Sequence, residues 1–337
     1  MRFLPAIALL LLTATTMPSA SAIEPLKIHL TAVRGVSKIV QSGNKTWVSS
    51  RLGTWHQLTL AGNLMDLVRG RPPTAVTVYD HTKLPDTEIA FGTKNIQSAW
   101  FTRPTERYDH GVLGDSIEAG ALKAKLSDGK TVELVLPEDA VFEDRIPRLI
   151  DADGDGRSEI MAVKSYLDKG AALTLIGVID GNLKVLAEAP AIGLSHRWLN
   201  PIGAADFDGD GKTELAVVIT PHIGGTLQLY EWHSQSLYPD NSAYGFSNHS
   251  MGSRELGLSA IIDVNNDGIS DIVLPDASRS ALIAITFAGR ASKLMSHTNL
   301  SGRLSSGLHV TDLDQDGKPE ILFATENQTL TLLRWPQ

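Results

Sequence analysis

Residues 151–160 read DADGDGRSEI, and close copies begin at Asp206 (DFDGDGKTEL), Asp263 (DVNNDGISDI) and Asp312 (DLDQDGKPEI). Their starts lie 55, 57 and 49 residues apart. Each copy follows a short strand-like run (IPRLI, PIGAA, LSAII, GLHVT) and precedes an apolar run rich in β-formers (IMAV, LAVVI, IVL, ILFA). Further strand patterns fill each interval, and no helical periodicity is sustained. A repeat of this period built from four strands and an acidic turn is the unit of an all-β propeller, whose radial repetition leaves only short sheet edges.

The turn itself has the chemistry of a calcium loop. Asp151, Asp153 and Asp155, with Asp206, Asp208 and Asp210, Asp263, Asn265 and Asp267, and Asp312, Asp314 and Asp316, place oxygens at loop positions 1, 3 and 5. A glycine at position 6 allows the backbone to reverse where a Cβ would clash. Helical calcium loops end in an acid at position 12, but here position 12 is Ala162, Val217, Leu274 or Phe323. The acid falls instead at position 9, as Glu159, Glu214, Asp271 and Glu320, at the start of the next strand. The reading is up to four structural calcium ions held in β-hairpins, the third weakest because Asn265 removes one charge.

The four loops resemble the FG-GAP/VCBS repeat, found in the propeller of integrin α chains and in many exported bacterial proteins. The resemblance covers about residues 145–330. It implies a propeller with calcium loops in the last four repeats, as in integrin α chains. Residues 147–337 are then the calcium-loop blades, 108–146 a degenerate blade, and 23–107 irregular blades plus LKIHLTAV, a strand that would close the ring. Seven blades are expected, with six as the alternative, in a single domain over 23–337.

Residues 1–22 carry Arg2, an apolar core from Phe3 to Leu12 and the small-residue end Ala20-Ser21-Ala22. This is the pattern of a secretory signal peptide, and it predicts an exported protein, periplasmic or extracellular, with no integral membrane segment after cleavage. The chain has no cysteine, so core packing and metal must do what disulfides do in many exported proteins. Its net charge is −8, with no basic block to follow phosphates, which argues against nucleic acid as partner.

A second, weaker repeat concerns function. Arg197, Arg254 and Arg303 each stand nine residues before the first Asp of a loop, with His196, His249 and His297 upstream. Arg107 and His110 precede the degenerate blade, and Arg145 and Arg148 the first acidic loop. Such a ring would face the channel mouth and bind a protein or glycan ligand, an anionic one included. Repeated arginines also serve as packing staples between blades. Residues 232–250 (WHSQSLYPDNSAYGFSNHS) read as a long irregular loop carrying Trp232, Tyr238, Tyr244 and Phe246, with His222 on the same face. No catalytic motif (HExxH, GxSxG, GxGxxG, a cysteine nucleophile) is present. A binding module is therefore expected; the alternative is a propeller hydrolase or lyase acting on anionic polysaccharide through the histidines.

Overall fold

The computed structural model describes residues 23–30, 35–74, 80–327 and 329–336. The signal-peptide pattern at 1–22 lies outside the described residues. Those residues contain strands and turns and no helix, so none long and apolar enough to cross a membrane.

Of the 25 described strands, all but one fall into six four-stranded antiparallel units; the other, Ala140–Phe142, pairs with Glu118–Leu126 of the second unit and Glu159–Tyr166 of the third. The first is Val36–Ser42, Lys45–Ser50, Trp55–Ala61 and Leu64–Arg69, and the second is Ala90–Phe91, Ile96–Thr105, Glu118–Leu126 and Thr131–Val135. The third is Arg148–Ile150, Glu159–Tyr166, Gly170–Ile179 and Asn182–Glu188, and the fourth is Leu199–Ala205, Glu214–Ile219, Gly225–His233 and Ser236–Phe246. The fifth is Ala260–Ile262, Asp271–Pro275, Ala281–Thr286 and Lys293–Asn299. The sixth joins His309–Thr311, Glu320–Ala324 and Leu330–Arg334 to the N-terminal strand Leu26–Leu30, which pairs antiparallel with Leu330–Arg334.

From the second unit to the sixth, the first strands of successive units touch one another. The outer strands of each meander are thereby directed away from a common axis, which makes the fold a β-propeller. Middle strands such as Glu159–Tyr166 and Ala281–Thr286 are buried on both faces, because each sheet is sandwiched between its neighbours. Five apolar clusters do this work, each shared by two adjacent units. Leu173, Leu199 and Val217 join the third unit to the fourth, and Phe207, Leu229 and Ile283 the fourth to the fifth. Val48, Leu58 and Leu332 tie the last unit back to the first.

Two expectations change here. Where seven blades were expected, with six as the alternative, the described residues form six. The run expected to hold the end of one blade and a degenerate one at 108–146 is a single unit, because Ile96–Thr105 and Glu118–Leu126 pair along most of their length. Residues 70–74 and 80–89 lie between the first and second units, and 75–79 lie outside the described residues. Residues 232–250 are also no irregular loop: Ser236–Phe246 is an eleven-residue outermost strand. It accommodates Pro239 near a register shift opposite Tyr230, as an outer strand can.

The second-to-third and fourth-to-first connections meet on one face. Gly170 approaches Leu194, His222 meets His249, and Arg279 meets Ser247. The acidic turns join first to second strands on the other face.

Acidic loops and a histidine cleft as candidate functional sites

The four acidic turns repeat one hydrogen-bond scheme. The position 1 carboxylates of Asp151, Asp206, Asp263 and Asp312 accept from the position 6 amides of Gly156, Gly211, Gly268 and Gly317 at 3.1, 2.9, 2.8 and 3.0 Å. Those glycines sit at φ of +83, +88, +86 and +84°, the left-handed region anticipated from the sequence. Position 4 is left-handed too, including Asn266 (φ +59°) and Gln315 (φ +60°), which the sequence reading missed. One oxygen of each position 9 acid accepts from the position 2 amide: Glu159 from Ala152, Glu214 from Phe207, Asp271 from Val264 and Glu320 from Leu313, at 2.8–3.0 Å.

These bonds leave the remaining oxygens turned inward. Asp151 Oδ1, Asp208 Oδ2, Glu214 Oε1, Asp271 Oδ1 and Asp314 Oδ1 are buried without a hydrogen-bond donor. A buried carboxylate oxygen with no partner costs about 1–3 kcal/mol or more, and every loop has at least one. Burial and the neighbouring aspartates push Glu214 up to about 7 and Asp271 up to about 6. A hard divalent cation removes both penalties, and an all-oxygen donor set suits calcium. Asp206, Asp208, Asp210 and Glu214 converge into one such group, as do Asp151, Asp153 and Glu159, and Asp312, Asp314 and Asp316. The third loop is less convergent, because the Asn265 amide donates to Asp267 at 2.8 Å.

Basic side chains reach into three of the loops. Lys94 pairs with Asp151 at 2.9 Å and Arg290 with Asp210 at 2.6 Å. Arg290 Nε also lies 3.1 Å from Asp208 Oδ2, an ion-pair contact. Arg334 donates to Asp314 at 2.6 Å and to Glu320. In the fourth loop, therefore, a guanidinium already holds two of the expected ligands.

On the opposite face the connections build a cleft lined by His110, His196, Arg197, Trp198, His222 and Met251. His110 Nδ1 is 2.5 Å from Glu143, which is buried and is also bonded by the Ser165 hydroxyl. His196 stacks on Tyr108 with ring centroids 5.0 Å apart, and its backbone amide donates to the Tyr108 hydroxyl at 2.8 Å. The rings of His222 and His249 share a hydrogen bond of 2.8 Å above the buried Trp198. Desolvation pulls both down to about 4, so the pair is neutral near pH 7. Beneath the cleft, burial and the charge of Glu143 push the Glu118 carboxyl up to about 9.

The expected cationic ring thus comes together only in part. His110, His196 and Arg197 share the cleft. His249 adjoins it but is buried and bonded to the Ser253 carbonyl. Arg254 is drawn aside by Asp86 and Asp115 at 2.5 and 3.2 Å. Arg107 donates to the carbonyls of Pro137 and Ala140, a staple within its own unit. Arg148 is likewise tied to buried Asp144 at 2.7 Å. His297 lies on an outermost strand, opposite Ile283, away from the cleft. Arg303 is exposed in the fifth-to-sixth connection. Sequence reading missed Tyr108, Glu118, Glu143 and Trp198; acids directly after the apolar run AVF at 140–142 were the available sign of Glu143.

No family model matches the chain, and no curated protein matches it. Among solved structures, it is similar to the WD40 domain of Toxoplasma gondii coronin, at 11% identity and TM-score 0.46, over 94% of this chain and 90% of that one. It is similar to a chain of the Photorhabdus luminescens Tc holotoxin pore at 11% identity and TM-score 0.45, over 93% of this chain but 14% of that one. It is also similar to the exotype rhamnogalacturonan lyase YesX, at 15% identity and TM-score 0.42, over 92% of this chain and 64% of that one. The chain therefore spans only a small part of the toxin chain and under two thirds of the lyase. With these three TM-scores below 0.5, the propeller assignment rests on strand order and on the contacts between units.

Proposed function

We propose that the chain is an exported, calcium-stabilised β-propeller of the FG-GAP/VCBS-repeat kind that binds a partner protein or glycan through its histidine cleft. One observation carries the binding reading: two large apolar side chains from separate connections, Ile223 (67% exposed) and Met251 (62%), line the cleft, and Leu194 (61%) stands two residues before His196 on a third. Apolar groups left in water around a polar centre with a free arginine are the anatomy of a recognition surface. Calcium at the opposite face would hold the units in register and leave this face free. A photo-crosslinking amino acid placed at Ile223 in the producing cell tests the reading. An adduct is expected there and none from the same group at Val135, an exposed site on the rim of the second unit; equal labelling at both sites, or none at either, contradicts it.

A second reading is turnover of an anionic polysaccharide, favoured by the His110–Glu143 pair at 2.5 Å above a neutral Glu118. A histidine oriented by a carboxylate, beside a protonated acid, supplies both halves of acid–base catalysis. Cleavage of a uronate polymer that is lost in His110→Ala supports this reading. Buried His249, considered for the role from sequence, has both ring nitrogens engaged.

A further inference from the structure

A cavity of about 150 Å³ beside the cleft shares only Glu118 with the second reading; Leu84, Pro85, Leu113 and Ile117 form its apolar walls. A single buried water needs only about 10–15 Å³ of such space, so there is room for an organic group. Its charged lining is unevenly satisfied. Asp144 accepts from Arg148 at 2.7 Å and from the Arg145 and Val163 amides at 2.8 and 3.2 Å. Asp86 and Asp115 share the Arg254 guanidinium at 2.5 and 3.2 Å.

Two groups on the wall are left over. Glu118 is 2% exposed, and the charged groups around its carboxyl are the acids Glu143, Asp115 and Asp144. Nη1 of Arg145 is buried and has no acceptor. The two do not satisfy each other. Glu118 is surrounded by Glu143, Asp115 and Asp144, whereas Arg145 is surrounded by Arg254, Asp86, Glu88 and Asp115. A guanidinium nitrogen without an acceptor and a buried carboxyl set among other acids border one largely apolar space.

We propose that this cavity binds a small zwitterion, its carboxylate on Arg145, its ammonium group on Glu118 and its short aliphatic body against Leu84, Leu113 and Ile117. The Arg145 nitrogen then gains an acceptor and the Glu118 carboxyl a cation, at the cost of one proton given up by the site. Glu118 carries a proton at neutral pH, because burial and the charges of Glu143, Asp115 and Asp144 hold its carboxyl up at about 9. An arriving ammonium group displaces that proton to solvent. Binding therefore releases one proton, and affinity rises about tenfold per pH unit below pH 8. The surrounding charges are each held by a partner: Glu143 by His110, Asp144 by Arg148, and Asp115 by Arg254. The proposal stands whether or not the histidine cleft takes a partner.

Calorimetry on the mature chain in calcium buffer tests it, with glycine, β-alanine, γ-aminobutyrate and 5-aminovalerate as probes graded in charge separation. Isovalerate and isopentylamine serve as half-ligands. One probe is expected to bind at least tenfold more tightly than either half-ligand, with proton release between pH 6 and 8. Glu118→Gln should abolish the pH dependence and cost at least tenfold in affinity, and Arg145→Met should cost a similar factor. If either variant fails to fold, Ile117→Trp, at the exposed lip, should block binding while leaving the melting temperature in place. Absence of binding by all four probes overturns the proposal. So does a half-ligand that binds as well as the best probe, or a folded variant that binds as the parent does.

Discussion

Gly170 shows how one residue holds the cleft in shape. Its φ is +73°, and a Cβ there would stand 2.2 Å from the Leu194 carbonyl oxygen and 2.8 Å from that of Arg197. Only glycine lets the connection carrying His196 and Arg197 pack so closely. Gly170→Ala is expected to cost about 1–3 kcal/mol and to break the Tyr108–His196 stack, as read by the melting temperature and the His196 ring resonances. Arg334 supplies a second residue-scale prediction. Its bonds to Asp314 and Glu320 occupy a would-be cation site, so Arg334→Met should tighten calcium binding at the fourth loop and destabilise the calcium-free protein. Equal calcium titrations of the two proteins would refute this. At this scale the sequence is legible where the backbone demands a residue type, as at the position 6 glycines. Glu118 and Glu143 were not legible, because an acid's burial depends on which strands stack over it.

Among the elements, the four-stranded unit with its acidic turn was readable wherever the repeat is regular, from 147 to 337. The early units were hard to delimit because Ile96–Thr105 and Glu118–Leu126 carry no acidic turn between them, and their long pairing spans residues assigned to two blades. The strand Ser236–Phe246 was hidden by its polar and aromatic composition, which suits an outermost position exposed on both faces. The connections of the fourth unit hold the neutral His222–His249 pair, which gives a pH prediction. A histidine whose folded value lies near 4, against 6.5 for a histidine in water, takes its proton first in the unfolded chain. Stability from this source is complete above pH 6.5 and is lost as pH falls toward 4. Glu118 carries the opposite sign: its raised value favours the fold at low pH and loses that contribution as pH rises from 4.5 toward 9. Unfolding temperatures measured from pH 4 to 9 should separate the two. The acid-side loss should flatten in His222→Gln/His249→Gln, and the alkaline loss in Glu118→Gln.

For the whole molecule, the propeller is held by five apolar interfaces between units and by the N-terminal strand Leu26–Leu30 completing the last sheet. With no disulfide to help, the acidic loops bear on stability as well as on shape. They gather fifteen of the chain's 38 acidic residues into four turns, where like charges repel and buried oxygens lack donors. An account in which these turns clasp calcium therefore requires a protein that is markedly less stable without it. Thermal unfolding of the mature chain, in millimolar calcium and in excess chelator, with bound metal counted in parallel, tests this most directly. The account predicts a melting temperature many degrees higher in calcium and three to four ions per chain, with Glu214→Gln losing one ion and part of the shift. The same melting temperature in both buffers, with no metal retained, would contradict it.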